Sequence, residues 1–197
     1  SDVYKRQVDM SGDELAEWLE MSASIFSTMA ADGIVRPLLL PGAVPYNFDV
    51  IEGLTYRINL AVPARYDIDG KRAPDGSRRI GALQYKGQPV MPEQRFLVVT
   101  NSFRASGGGH FPGLGMERVV ASSHAANRDI LAAYIADRGT VECHERPIWC
   151  FAETGGARVN FDTGPGAAHH LHEIAGFAPV AQGMPEEGYV RYRMPLP

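Results

Sequence analysis

Residues 100–113 read Thr-Asn-Ser-Phe-Arg-Ala-Ser-Gly-Gly-Gly-His-Phe-Pro-Gly, and they hold the side chains best suited to gripping a ligand. Three successive glycines adopt positive φ without a Cβ penalty and let a polar or anionic group approach the backbone N–H groups of Gly107 and Gly108 closely. Phe103, just ahead of them, offers a flat ring on which a nucleobase would gain about 1–3 kcal/mol almost regardless of its identity. The alternative is that Phe103 belongs to the core and the glycines merely turn the chain. Arg104 presents a fork of donors suited to a phosphate or ribose oxygen, or equally to a surface salt bridge. Asn101 suits a hydrogen bond to its own backbone better than a base edge.

Other chemistry-bearing residues point to less. His169 and His172 are three apart and could share a helix face, but a solvated helix end is the better reading. Cys143 and Cys150 flank His144; three potential ligands fall short of a structural zinc site, so free or disulfide-bonded cysteines are favoured. Asp162-Thr163-Gly164 resembles an aspartic-protease loop, but that chemistry needs two such loops, and there is one. No Gly-x-Ser-x-Gly elbow is present. The sequence therefore assigns no catalytic residue and no metal ligand.

The elements that must position the loop follow from pattern. Phe96-Leu97-Val98-Val99 is an unbroken apolar run, which predicts a strand covered on both faces. Ser11-x-x-Glu14 has the form of a capping box, and the periodic Leu15, Trp18, Leu19, Ser22, Phe26 and Met29 predict an amphipathic helix over residues 12–30. Residues 55–62 alternate as a strand with one wet face, and residues 67–78 read as a solvated hairpin loop. Lys86-Gly87 suits a tight antiparallel turn. A second helix is predicted over residues 127–137 with Ile130, Leu131, Tyr134 and Ile135 facing inward, closed by Gly139. Short strands near 147–152, 157–162 and 188–193 and a helix around 166–176 complete an α+β chain of mixed sheets and packed helices.

The motif Thr-Asn-x-aromatic-Arg-Ala-x-Gly-Gly resembles the C-terminal domain of secreted 5′-nucleotidase-type phosphoesterases, together with Tyr46-Asn47-Phe48-Asp49-Val50-Ile51-Glu52-Gly53 and Pro63-Ala64-Arg65-Tyr66-Asp67. Trp18-Leu19-Glu20-Met21-Ser22, Asn127-Arg128-Asp129 and Phe161-Asp162-Thr163-Gly164-Pro165 match as well, so the likeness runs over residues 8–193. The branch most similar is the bifunctional 2′,3′-cyclic-nucleotide 2′-phosphodiesterase/3′-nucleotidase. The alternatives are the 5′-nucleotidase/UDP-sugar hydrolase branch or a stand-alone, non-catalytic binding module.

The resemblance implies a nucleotide- or nucleoside-binding domain, in which Phe103 takes the second of two base-stacking positions and Asn101, Arg104, Gly107 and Gly108 surround it. In the 5′-nucleotidase branch an Asp that contacts the nucleoside aligns with Gly109. The resemblance also implies a partner, a preceding metallophosphoesterase domain with two divalent metal ions, and a periplasmic, extracellular or cell-wall location. No Asp-x-His or Gly-Asn-His-Glu type motif of such a domain occurs in this chain. Residues 1–7, Ser-Asp-Val-Tyr-Lys-Arg-Gln, read as a translated transposon adapter, with an incomplete family domain over 8–197. They stand where the family has a Tyr-x-Tyr-x-Asn-Thr-like segment carrying its first stacking aromatic, which leaves Phe103 as one jaw of a clamp.

Composition fits this picture. At 197 residues, 45% hydrophobic and 21% charged, the chain can bury one sizeable core. A net charge of −4 argues against gripping a nucleic-acid polymer. No stretch reaches the ~20 apolar residues needed for a membrane span.

Overall fold

The computed structural model describes residues 3–142, 147–186 and 188–197. Its N-terminal part runs β1 (Tyr4–Ser11), α1 (Gly12–Ser22), β2 (Val35–Pro37), β3 (Leu54–Ile58), β4 (Ile80–Tyr85), β5 (Gln88–Pro89), β6 (Arg95–Asn101) and α2 (Ser102–Ala105). There follow β7 (Val119–Ala126), α3 (Asn127–Arg138), β8 (Trp149–Phe151), β9 (Arg158–Thr163), β10 (Val180–Gly183) and β11 (Val190–Pro195). Three sheets result, in the orders β6-β1-β7, β5-β4-β3-β8 and β10-β11-β9-β2. The fold is α+β, as the pattern predicts.

β1 is the middle strand of its sheet, antiparallel to β6 with Val8 opposite Val98 and antiparallel to β7 with Gln7 opposite Ala121. Residues 4–7, set aside in the sequence reading, therefore take part in the ladder. Backbone pairing asks little of side-chain identity. Val8 and Met10 point into the core, where they meet Leu15, Trp18 and Leu19 of α1 and Leu54, Tyr56 and Ile58 of β3.

The capping box forms as read: Ser11 Oγ accepts from the Glu14 N–H at 3.2 Å, and Glu14 Oε2 accepts from the Ser11 N–H at 2.7 Å. The helix, however, stops at Ser22 and gives way to a 3-10 turn, Ala23–Ile25, rather than continuing to residue 30. The buried guanidinium of Arg79 takes the carbonyls of Ala23 and Phe26 at 3.0 and 2.8 Å, replacing the helical N–H groups that would have used them. Phe26 and Met29 are buried nonetheless, from extended backbone.

Four edge-to-face contacts, each with ring centroids 5.2 Å apart, close a cycle through Phe26, Phe48, Trp149 and Phe151. They pin β8, which pairs in parallel with β3, against the turn that carries residues 45–49. The Lys86-Gly87 turn joins β4 to β5 with both residues at positive φ, the geometry whose twist suits a two-residue hairpin.

Two expectations are corrected. β6 is an edge strand covered on one face: Phe96 and Val98 pack on the core, while Leu97 and Val99 are both exposed. In α3 no residue is buried: Ile130, Leu131 and Tyr134 face an open groove instead of a core, and Ile135 is exposed. The strands expected near 147–152, 157–162 and 188–193 are β8, β9 and β11, and the expected helix around 166–176 is an exposed 3-10 segment, Pro165–Phe177. Cys143 and His144 lie outside the described residues; Cys150 is free and exposed.

Candidate functional site

β6 delivers the chain to the glycine loop through α2, a single helical turn. Asn101 caps it, its Oδ1 accepting the Arg104 N–H at 2.8 Å, so this oxygen serves the fold. The loop then closes on itself. Gly107 N–H donates to Arg104 O, Gly108 N–H to Phe103 O and His110 N–H to Gly107 O, at 3.0, 3.0 and 3.2 Å. The N–H groups of Gly107 and Gly108 are thus spent within the loop and do not form the anion cradle that the glycine run suggested. Gly108 is required for another reason: a Cβ there would lie 2.6 Å from the Phe103 ring.

Arg104 does not form the surface salt bridge of its alternative reading. It is 4% exposed, and its guanidinium meets the Asp49 carboxylate through two bonds, Nε to Oδ2 at 2.7 Å and Nη2 to Oδ1 at 2.8 Å. Nη1 donates to the Gly108 carbonyl at 2.5 Å and to Asn47 Oδ1 at 3.4 Å, and Nη2 reaches Tyr46 O at 3.5 Å. The plane of charge lies 4.0 Å above the ring of Phe111, which is itself buried edge-on against Trp18. Asp49 also accepts from Trp18 Nε1 at 2.9 Å. One buried ion pair therefore ties the turn at 45–49, α1 and the glycine loop together.

Phe103 borders this network, its ring 5.6 Å from the Arg104 guanidinium carbon. About half of it is exposed, and it borders a cleft of ≈ 320 Å³ whose lining includes Tyr46, Asn47, Asp69, Gly109 and His110. Of the residues expected at a binding site, the structure brings Phe103 to the cleft. Asn101, Arg104, Gly107 and Gly108 stand behind it as support. Tyr46, 73% exposed on the 3-10 turn Pro45–Asn47, is a cleft residue that the sequence reading missed. Its signal was present in the Tyr46-Asn47-Phe48-Asp49 motif, but nothing in spacing reveals that a turn 57 residues upstream, by numbering, shares a cleft with Phe103.

At Gly109, φ is +80°, and a Cβ would lie 2.1 Å from Arg104 Nη1 and 2.7 Å from Asn47 Oδ1. A side chain at this position would require the guanidinium to move. Among the described residues, no group of three or more His, Cys, Asp or Glu side chains is placed to hold a metal ion.

The model of the 5′-nucleotidase C-terminal domain family matches residues 6–115, more than half of the chain and the whole stretch that builds the cleft. The chain belongs to this family. It is 38% identical over 188 residues to the trifunctional nucleotide phosphoesterase protein YfkN of Bacillus subtilis, covering 95% of this chain and 13% of that protein. It is also 36% identical over 200 residues to the 2′,3′-cyclic-nucleotide 2′-phosphodiesterase/3′-nucleotidase of Haemophilus influenzae, covering 96% and 30%. The 5′-nucleotidase of Staphylococcus aureus, solved with alpha-ketoglutarate, superposes with a TM-score of 0.60 at 20% identity over 77% of this chain and 28% of that one. The last likeness shows the fold alone. The chain spans 13% to 30% of the length of the curated relatives it matches.

Proposed function

We propose that this chain is the nucleotide-recognising domain of a metal-dependent phosphoesterase acting on 2′,3′-cyclic nucleotides and 3′-nucleotides, within a larger periplasmic or extracellular protein. The observation that carries the proposal is Phe103: an apolar ring held half in solvent at the rim of a cleft, on a loop otherwise stitched to itself. The domain's task is orientation. Stacking the base on Phe103 fixes the substrate, so that chemistry elsewhere starts from an aligned geometry. A preceding metallophosphoesterase domain over which residues 1–197 do not extend supplies two divalent ions, whose contribution when bound is an activated water.

Gly109 favours the cyclic-phosphodiesterase branch over the 5′-nucleotidase branch, because the Arg104 guanidinium occupies the space that a nucleoside-contacting Asp there would need. The test has two arms. Residues 1–197 mixed with 3′-AMP or 2′,3′-cyclic AMP and added divalent metal are expected to show no turnover; measurable hydrolysis would overturn the division of labour. Adenosine is expected to bind, and Phe103→Ala to weaken it about 5- to 150-fold, the equivalent of one stacked base. Equal affinities would remove the stacking role.

A further inference from the structure

The family model matches no residue beyond 115, and the sheet β10-β11-β9-β2, built mostly from later residues, carries a face of matched and unmatched charge. β9 and β11 run antiparallel with Arg191 opposite Asp162, Arg193 opposite Asn160 and Pro195 opposite Arg158. Residues two apart along a strand share a face, so all six stand on one side of this sheet. At the first pair the charge is matched: Arg191 Nε and Nη2 donate to the two Asp162 oxygens at 2.7 and 2.8 Å. At the second an amide stands where a carboxylate would answer Arg193, and at the third a proline stands opposite Arg158. Neither of these two guanidiniums has a hydrogen-bond or ion-pair partner among the described residues.

Like charges at diagonal positions on adjacent strands lie within reach of each other, and unanswered they weaken a sheet. Arg158 and Arg193 both line a cleft of ≈ 330 Å³, and no Asp or Glu lines it with them. The Gln182 amide nitrogen at its edge is already used, donating to the Val180 and Ala181 carbonyls at 3.2 and 3.1 Å. What meets a guest is therefore two guanidiniums set against apolar Val180, Met194 and Pro195. A second observation marks the same spot: Arg193 Nε and Asn160 Oδ1 are shielded from solvent with no hydrogen-bond partner. An unpaired buried donor on a charged group costs free energy, and an anion on the same guanidinium offsets it. The terminal nitrogens of Arg193 are not shielded in this way and are open to such an anion.

We propose that this cleft binds a phosphate dianion, free or as the end of a phosphate monoester, between Arg158 and Arg193. Each guanidinium offers a planar fork that two phosphate oxygens fill, and the apolar wall lowers the dielectric around the contact. Two cations answer the two charges of one phosphate, whereas a monocarboxylate answers only one. The bound dianion replaces a repulsion between the arginines with an attraction to each. The site shares no residue with the cleft beside Phe103 and does not depend on what that cleft binds.

The test is calorimetric titration of inorganic phosphate and methyl phosphate into the 197-residue chain and its R158A, R193A and N160D variants. It is run at fixed ionic strength and about pH 8, where both ligands are dianions, with urea midpoints confirming that each variant folds. The parent should bind one equivalent of each ligand, and the tighter of the two identifies the source as free phosphate or a monoester. Arg158→Ala and Arg193→Ala should each weaken binding about 10- to 150-fold, the loss of one charge-assisted contact. Asn160→Asp sets a carboxylate opposite Arg193 just as Asp162 stands opposite Arg191, so it should abolish phosphate binding with both arginines intact. Acetate, with a single charge, should bind about tenfold weaker than phosphate or worse. No binding by the parent chain, or parent affinity in any one of the three variants, would overturn the site. Equal affinity for acetate would overturn its assignment to a dianion.

Discussion

Arg79 and Arg104 are both buried arginines held by backbone carbonyls, yet they do opposite jobs. Arg79 is 1% exposed and donates to the carbonyls of Val62, Ala23 and Phe26 and to Thr28 Oγ1, while Glu20 receives the N–H groups of residues 79 and 80 at 2.9 Å each. Burial lowers the Arg79 pKa to about 10 and pushes that of Glu20 up. The partners of this pair lie in α1, the segment after it, the segment after β3 and the start of β4. Arg104 instead meets a carboxylate directly and joins two loops that face solvent. The first arginine closes a scaffold; the second sets the width of a cleft. Satisfied donors alone do not tell the two apart. What they tie together does.

The comparison predicts two different mutant phenotypes. Arg79→Met takes the guanidinium donor from the Val62 and Phe26 carbonyls and leaves the Ala23 carbonyl only the 3.4 Å bond from the Phe26 N–H, and should cost about 3–5 kcal/mol of unfolding free energy. Urea denaturation reads this as a lower midpoint, with adenosine affinity unchanged in the protein still folded. Arg104→Met should cost less stability, about 1–3 kcal/mol, because Asp49 keeps its bond from Trp18 and is partly open to water. Its adenosine affinity should fall in addition, as the walls lose their shared strut. Equal stability losses with equal binding would erase the distinction.

A finer probe is Arg104→Lys. A lysine keeps the charge opposite Asp49 but has no fork to hold the Gly108 and Tyr46 carbonyls at once. Stability should stay within about 1 kcal/mol of the parent, the scale of one ordinary hydrogen bond. Adenosine binding should still weaken. Parent-like binding in this variant would show that charge, and not the bridge between carbonyls, positions the cleft.

Local signals carried much of this into the sequence. Ser11 and Glu14 lie three residues apart and cap α1 by themselves, Lys86-Gly87 turns a hairpin with only its neighbours, and Asn101 caps the next turn of chain. What was illegible depends on distant partners. Arg104 finds Asp49 fifty-five residues away, and Arg79 takes the Ala23 and Phe26 carbonyls just past the end of α1 from a place far along the chain. β7 and β10 escaped notice because they are largely exposed and lack alternation. Ile130, Leu131, Tyr134 and Ile135 show the opposite failure: a helical apolar face is legible, but whether anything covers it is not written in its period.

The smallest expected effect lies at the fringe of the Arg79 scaffold, one helical turn before Glu20. The Glu17 carboxylate is raised by burial, but hydrogen bonds from Arg65 Nε at 2.7 Å and Tyr66 Oη at 2.5 Å outweigh this and bring it below the ordinary value of 4.5. A carboxylate with a lowered folded pKa contributes stability that is present above its unfolded pKa and is lost as pH falls through the folded one. Glu20 has the reverse sign: its contribution is complete below the unfolded pKa and is lost as pH rises through its elevated folded value. Below about pH 4.5 the scaffold should therefore weaken through Glu17 while Glu20 resists. Glu17→Gln should be less stable than the parent at pH 7 and flatten the acid limb of stability against pH, measured by urea midpoints from pH 3 to pH 7. An acid limb unchanged in this variant would move the acid sensitivity to another of the lowered carboxylates, Glu14, Asp32 or Asp162, which lie outside the scaffold that Arg79 closes.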